Sequence, residues 1–174
     1  WQQLEAGVRP KDLEIIQVQT WIPQIVEPFR ERTKQQQQLL QIDLDPELPP
    51  LLSDNASLER ILTELLNNAC KYTPPGEKIT LTAETVKTLT ATSLRRAQFR
   101  VTNSGVEIPA NELPRIFDKF YRIRRDDRWQ RGGTGLGLAL VQKLTEHLGG
   151  TLVAESVFNQ TTFTVELPLL SSSD

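Results

Sequence analysis

The sequence predicts an α+β fold, a two-layer α/β sandwich whose mixed, mostly antiparallel sheet packs on helices. Three observations carry this expectation. Runs rich in Thr and Val, from Lys78 to Lys87 and from Ala97 to Asn103, read as strands. Segments with apolar residues at helical spacing stand between and beside them. Strands and helices come in runs without strict βαβ alternation, which argues against a doubly wound parallel sheet. The 174 residues fit one domain.

Taken in order, residues 1–10 read as the tail of a preceding helix, ended by Gly7 and Pro10. Residues 11–170 form the domain, and residues 171–174 are a tail. Leu13 to Val18 is a short strand-like run. A helix is predicted from Thr20 to about Gln38, with Ile22, Ile25, Val26 and Phe29 as its apolar stripe. Pro23 fits its first turn, whereas Pro28 lies deeper and should kink it. Gln35 to Gln38 is expected to be a solvated helix end. Leu39 to Leu44 alternates as a strand does, until Pro46 to Pro50 breaks it. Ser53 and Asp54 then cap a helix from about Asn55 to Tyr72, stopped by Thr73 to Gly76. The two Thr- and Val-rich strands follow, joined by a polar hairpin loop. Ser104 to Glu112 is a turn-rich loop, and Leu113 to Tyr121 is predicted as a short apolar-aromatic helix. Arg122 to Arg131 is charged and has no apolar period. Strands at Thr151 to Phe158 and Thr161 to Leu167, joined by Asn159-Gln160, close the domain.

Composition narrows the function classes. With 22 Asp and Glu against 20 Lys and Arg, the net charge of −2 gives no reason to expect nucleic acid as a partner. One cysteine excludes an internal disulfide and fits a reducing compartment. One Cys and one His also exclude a Cys/His zinc site. No apolar run approaches the roughly 20 residues of a membrane span. The absence of Met makes the chain a piece of something longer.

Four of the nine glycines, Gly132, Gly133, Gly135 and Gly137, fall in one short segment. Leu136, Leu138, Ala139, Val141, Leu144 and Leu148 follow at helical spacing, with Gly149-Gly150 as a stop. A Gly-rich turn entering a helix N-terminus offers unpaired N–H groups and a positive dipole end, a site for phosphate. A flexible loop is the other reading. Neither the P-loop nor the dinucleotide fingerprint fits, since no Gly-Lys-Ser or Gly-Lys-Thr is present and no strand precedes the glycines.

The helix around Asn68 has two faces. Ile61, Leu62, Leu65, Leu66 and Ala69 form an apolar arc, and Glu64, Asn68 and Lys71 cluster roughly opposite. A carboxylate, an amide oxygen and an ammonium on one face suit Mg²⁺ and a phosphate. They also suit an ordinary solvated face.

The segments taken together point to one family. Leu62-Thr-Glu-Leu-Leu-Asn-Asn-Ala-Cys-Lys-Tyr-Thr-Pro74 resembles the N box of sensor histidine kinases. Asn103-Ser-Gly-Val-Glu-Ile-Pro109 is similar to a divergent G1 box, Ile116-Phe-Asp-Lys-Phe-Tyr-Arg122 to the F box, and Gly132-Gly-Thr-Gly-Leu-Gly-Leu138 to the G2 box. They occur in the family's order, and the match runs from about Leu13 to Leu167. The chain thus resembles the catalytic and ATP-binding domain of a two-component sensor histidine kinase. The fold this implies is the Bergerat-type ATP-binding sandwich shared with gyrase, Hsp90 and MutL.

The resemblance implies roles for residues. Asn68 matches the asparagine that coordinates Mg²⁺ between the phosphates, and Lys71 and Tyr72 match residues lining phosphate and adenine. Asn103 stands at the adenine-binding position, with Gly105 and Ile108 packing near the base. Phe117 and Phe120 anchor an ATP lid running from Arg122 to Arg131, and Tyr121 and Arg122 approach the nucleotide. The backbone of Gly133, Thr134, Gly135, Leu136, Gly137 and Leu138 cradles the phosphates. ATP and Mg²⁺ are the implied cofactors. The implied partners are a dimerisation and histidine-phosphotransfer domain of the same protein, a response-regulator receiver domain and, in the full-length homodimer, a second copy. The implied location is cytoplasmic.

Three residues depart from the family pattern. Asn103 replaces an Asp, so its bond to the adenine amino group loses charge assistance. Glu107 replaces a glycine and either narrows the adenine pocket or points to solvent. Glu64 replaces an Asn, where gyrase-like ATPases place a water-activating base. Besides the kinase, these departures leave open a regulatory nucleotide-binding module and a gyrase-like ATPase. His147, the single histidine, has no acidic residue after it and no Pro nearby, unlike the family's phospho-acceptor. The chain alone should therefore be unable to autophosphorylate.

Overall fold

The computed structural model describes residues 11–87, 95–122 and 135–169. Among them the order is β1 (Leu13–Ile16), α1 (Val18–Gln35), β2 (Leu39–Leu44), β3 (Leu51–Asp54), α2 (Asn55–Tyr72), β4 (Lys78–Lys87), β5 (Arg95–Ser104), a 3₁₀ turn (Leu113–Arg115), α3 (Gly137–His147), β6 (Thr151–Val157) and β7 (Gln160–Pro168). The expected N-terminal helix tail, the centre of the β4–β5 loop, most of the charged segment with Gly132, Gly133 and Thr134, and the C-terminal tail lie outside the described residues.

The main sheet has the order β2-β4-β5-β7-β6, with β2 parallel to β4 and the other neighbours antiparallel. This is the mixed, mostly antiparallel sheet the sequence predicts. Its register pairs Leu81 with Val101 and Val101 with Phe163. Because successive side chains point to opposite faces, Ile79 and Leu81, Ala97 to Val101 at every second residue, and Phe163 and Val165 form one buried face. Onto it α2 lays Leu58, Ile61, Leu62, Leu65 and Leu66, all fully buried. Burial of each such side chain contributes about 1.5–3 kcal/mol over exposure, which fixes the helical layer to the sheet. The opposite face is polar. There Gln98 Nε2 donates to Glu166 Oε1 at 2.9 Å, and the hydroxyls of Thr102 and Thr162 meet at 3.1 Å.

Asp54 caps α2 as expected, its side chain accepting from the Ser57 amide at 3.1 Å. The other end of α2 falls at Tyr72 as expected, but the end of α1 departs from expectation. α1 stops at Gln35, and Gln37 takes a left-handed φ of 58°, turning the chain inward. Gln38 is consequently buried rather than solvated, and its Nε2 donates to the carbonyls of Cys70 at 2.8 Å and Thr73 at 2.7 Å. Helix ends leave carbonyls without partners, and Gln38 satisfies two of them.

Three further boundaries differ. β3 follows the prolines directly and pairs antiparallel with β1, a pairing too short to stand out by alternation. The helix expected at Leu113 to Tyr121 is only the three-residue 3₁₀ turn, with Pro114 in its first positions. Beyond it the chain advances by three-residue turns, Asp118 N to Arg115 O at 3.0 Å and Tyr121 N to Asp118 O at 3.2 Å, through a left-handed Phe120 at φ 66°. Finally, β6 ends at Val157, not Phe158. Phe158 and Asn159, at φ 53° and 58°, form the two-residue hairpin turn whose twist suits the flanking strands.

Candidate nucleotide site

Two adjoining cavities open beside the C-terminal half of α2. The first, about 130 Å³, is largely apolar and is walled by Val106, Ile108, Ile116 and Phe163 with Gly105 and Thr161. The second, about 320 Å³, is polar and is bounded by Arg32, Glu64, Asn67, Lys71, Gly135 and Gly137. Asn68, Tyr72, Ile116, Tyr121, Arg122 and Leu138 line both, so the two form one continuous cleft.

Asn103 lies in the apolar cavity. It continues the buried row Ala97, Phe99, Val101 of β5 and is 4% exposed, so the sheet's apolar stripe ends in an amide inside the cleft. On neighbouring β7, Thr161 is its direct partner and lines the same cavity. The Thr161 hydroxyl donates to the Val106 carbonyl and meets Ser156 Oγ, both at 2.9 Å, and Ser156 Oγ accepts from the Ile108 amide at 2.7 Å. These hydroxyls pin the loop after β5 against the sheet edge. Gly105, at φ 81°, has no space for a Cβ, which would sit 2.6 Å from Glu77 Cγ. Glu107 is exposed and lines neither cavity, so its side chain does not narrow the apolar one.

The polar cavity is built for an anion. Leu136, the cap of α3, makes no side-chain capping bond, and the first turn of α3 holds no acidic residue. Its first turn carries the positive end of the helix dipole, and Gly135, Gly137 and Leu138 at that end line the cavity. The carboxylate that does approach belongs to Glu64 on α2, whose Oε2 lies 2.8 Å from where a Cβ on Gly137 would be. Its other oxygen is held by Arg60 Nη2 at 2.8 Å. Arg32, Lys71 and Arg122 bring three cations to the same wall. Among the described residues none of the three forms an ion pair with a carboxylate. Burial lowers the pKa of Lys71, and the positive charges of Arg122 and Arg32 lower it further. Such crowding of positive charge favours a multiply charged anion in the cavity.

The residues expected from the sequence fall into three groups. Glu64, Asn68, Lys71, Tyr72, Asn103, Gly105, Ile108, Tyr121, Arg122, Gly135, Gly137 and Leu138 all line the cleft. Leu136, Phe117 and Phe120 do not. Phe117 packs edge-on against Phe163 with ring centroids 6.2 Å apart, and Phe120 is exposed. The Phe120 amide instead donates to the Gly135 carbonyl at 3.0 Å, joining the two sides of the charged segment at its base. Gly133 and Thr134 lie outside the described residues. Tyr121 is positioned by a bond from its hydroxyl to Glu112 Oε1 at 3.0 Å, and by the Arg115 guanidinium 4.7 Å above its ring. Sequence reasoning missed Arg32, Asn67, Val106, Ile116, Thr161 and Phe163. Alternation flags Thr161 and Phe163 as inward-facing, but only strand order places them beside Asn103. His147 ends α3, roughly 15 Å along the helix from Gly137 at ~1.5 Å per residue, and lines neither cavity.

The chain matches a known family. The model of histidine kinase-, DNA gyrase B- and HSP90-like ATPases matches residues 53–171. The chain belongs to this family, as the ATP-binding catalytic domain of a sensor histidine kinase. It is 35% identical over 149 residues to the adaptive-response sensory kinase SasA of Synechococcus elongatus, covering 85% of this chain and 36% of SasA. The chain thus spans about a third of that relative's length. The crystal structure of full-length ShkA in complex with AMPPNP superposes with a TM-score of 0.80 at 25% identity, covering 99% of this chain and 34% of ShkA. The nucleotide-free catalytic domain of the histidine kinase ThkA superposes with a TM-score of 0.77 over 91% of this chain and 96% of that domain. At 23% identity, that likeness supports the fold alone.

Proposed function

We propose that this domain binds ATP as its Mg²⁺ complex and presents the γ-phosphate to a histidine on a separate dimerisation domain of the same protein. From there the phosphoryl group passes to a response-regulator receiver domain. The observation that carries the reading is the continuous cleft, with a buried amide, Asn103, at its apolar end and a cation-lined helix N-terminus at the other. An adenine fits the first chemically, its amino group donating to the Asn103 carbonyl oxygen, and a polyphosphate fits the second.

The donor set also suits Mg²⁺. Asn68 supplies an amide oxygen between the cavities, and a cation of this kind takes few protein ligands when phosphates supply the rest. Bound there, Mg²⁺ would neutralise phosphate charge. The chain's own residues do the positioning. Lys71 and Arg122 hold phosphate oxygens, the α3 amides donate to others, and the bond from Phe120 to Gly135 fixes the base of the lid. Phosphoryl transfer needs mostly positioning and charge neutralisation. The attacking imidazole nitrogen forms a bond to the γ-phosphorus as the bond to the β,γ-bridging oxygen breaks, and ADP leaves.

Labelled phosphate transfer from ATP in the intact protein tests the reading. Label on the dimerisation domain is the expected result. ATP binding without transfer would instead make this a regulatory nucleotide-binding module, and multiple-turnover hydrolysis by the chain alone a gyrase-like ATPase. Asn103→Asp tests the adenine contact separately. Restoring charge assistance is expected to tighten ATP binding by about 1 kcal/mol. Isothermal titration showing no tightening removes Asn103 from that role.

A further inference from the structure

We propose that Arg32, on α1, is a phosphate-binding residue of this cleft that contributes in proportion to the number of phosphates on the nucleotide. The inference rests on the ATP-binding reading above and adds a residue from outside the segments that carry the family resemblance.

Arg32 lines the polar cavity but not the apolar one, as do Glu64, Asn67 and Lys71. It therefore stands at the end of the cleft remote from Asn103, where the terminal phosphates of a nucleotide anchored by its base would lie. Its guanidinium is held across the helix–helix seam. Arg32 Nη1 donates to Asn67 Oδ1 at 2.7 Å, and Asn67 is the immediate neighbour of Asn68 on α2. One bond fixes the planar head and leaves further N–H donors for a ligand, since guanidinium carries five. Among the described residues no carboxylate pairs with it. The two acidic side chains nearest in sequence, Glu27 and Glu31, are bonded to Arg30 and Gln35 instead. Arg32 also acts on the site's electrostatics, because its charge is one of those that lower the Lys71 pKa. An anion in the cavity would relieve that repulsion.

The competing role for Arg32 is a bracket that holds α1 against α2. A bracket would alter stability, and it would weaken all adenine nucleotides alike by shifting the cleft wall. A phosphate ligand discriminates among them.

The test is titration calorimetry of the whole chain and its Arg32→Gln and Arg32→Lys variants with AMP, ADP and ATP in excess Mg²⁺. Thermal melts verify folding, and glutamine preserves helix propensity at this half-exposed position. The expected result for Arg32→Gln is ATP binding weakened about tenfold or more, as for a lost charge-assisted bond. ADP should be weakened less, and AMP should change by less than about twofold. Arg32→Lys, which keeps charge but loses the fork, should fall between wild type and Gln. Asn67→Ala, which frees the guanidinium, should weaken ATP in the same order of nucleotides but by less. Equal weakening of the three nucleotides, or none for ATP, overturns the proposal while leaving the ATP-binding reading intact. A wild-type chain that binds neither ATP nor ADP overturns that reading, and this proposal with it.

Discussion

Glu64→Gln is expected to lower phosphoryl transfer, or slow ATP hydrolysis, by the roughly 10²–10⁴-fold typical of a lost general base, while ATP still binds. Its side chain is 19% exposed and lies between Arg60 and the first residue of α3, on the wall of the polar cavity. The substitution keeps the shape and one acceptor oxygen, so the gap beside Gly137 stays filled. What it removes is the charge and the basicity. Removing a negative charge from the phosphate end should leave ATP affinity unchanged or tighter, since like charges at close range repel. Phosphate release and ATP titration on the same variant separate the two effects. Unchanged turnover with ATP bound would reduce Glu64 to a counter-charge for the α3 N-terminus.

The second large effect is expected at Gly135. Its φ is 73°, and an added Cβ would sit 2.7 Å from both Cα and C of Phe120. That neighbour is backbone and cannot swing aside. A left-handed L residue costs about 1–2 kcal/mol, and overpacking a tight contact costs about 1–3 kcal/mol more. The protein's cheapest relief is to break the Phe120 amide bond to Gly135, a local opening and not global unfolding. Gly135→Ala is therefore expected to abolish hydrogen-exchange protection at the Phe120 amide and to weaken ATP binding by about 10–100-fold, as fixing Phe120 beside the cleft residues Tyr121 and Arg122 becomes a cost of binding. Gly149→Ala is the matched control. Gly149 has nearly the same φ, 74°, but nothing within 4 Å of its Cβ position. It should lose about 1 kcal/mol of stability and no ATP affinity. Equal loss of ATP affinity in the two variants would show that backbone strain, and not the Phe120 contact, matters.

Much of this site is readable along the chain because it is made of local runs. α2 carries its apolar arc and its polar face within 18 residues, with its cap Asp54 directly before them, and the glycines announce the start of α3. Strand alternation likewise places Asn103 on the inward face of β5. What escapes such reading comes from elements distant in sequence. Arg32 reaches the cleft only because α1 packs beside α2, and nothing in its own neighbourhood marks it. Gln38 looks like solvated polar sequence until the left-handed Gln37 turns it under the end of α2. The Leu113 to Tyr121 segment has helical composition, yet Pro114 and the left-handed Phe120 divide it into short turns. That geometry lets Phe120 meet Gly135.

The central claim is that one cleft takes the base at Asn103 and the phosphates at the α3 N-terminus. Backbone amide chemical shifts followed while ATP and Mg²⁺ are added to the isotope-labelled chain test it most directly. Saturable shifts are expected at Asn103, Gly105, Lys71, Gly135 and Gly137, with Glu84 and Thr85, at the end of β4 away from Asn103, unmoved. Shifts confined to other surfaces, or none at saturating ATP, would contradict it.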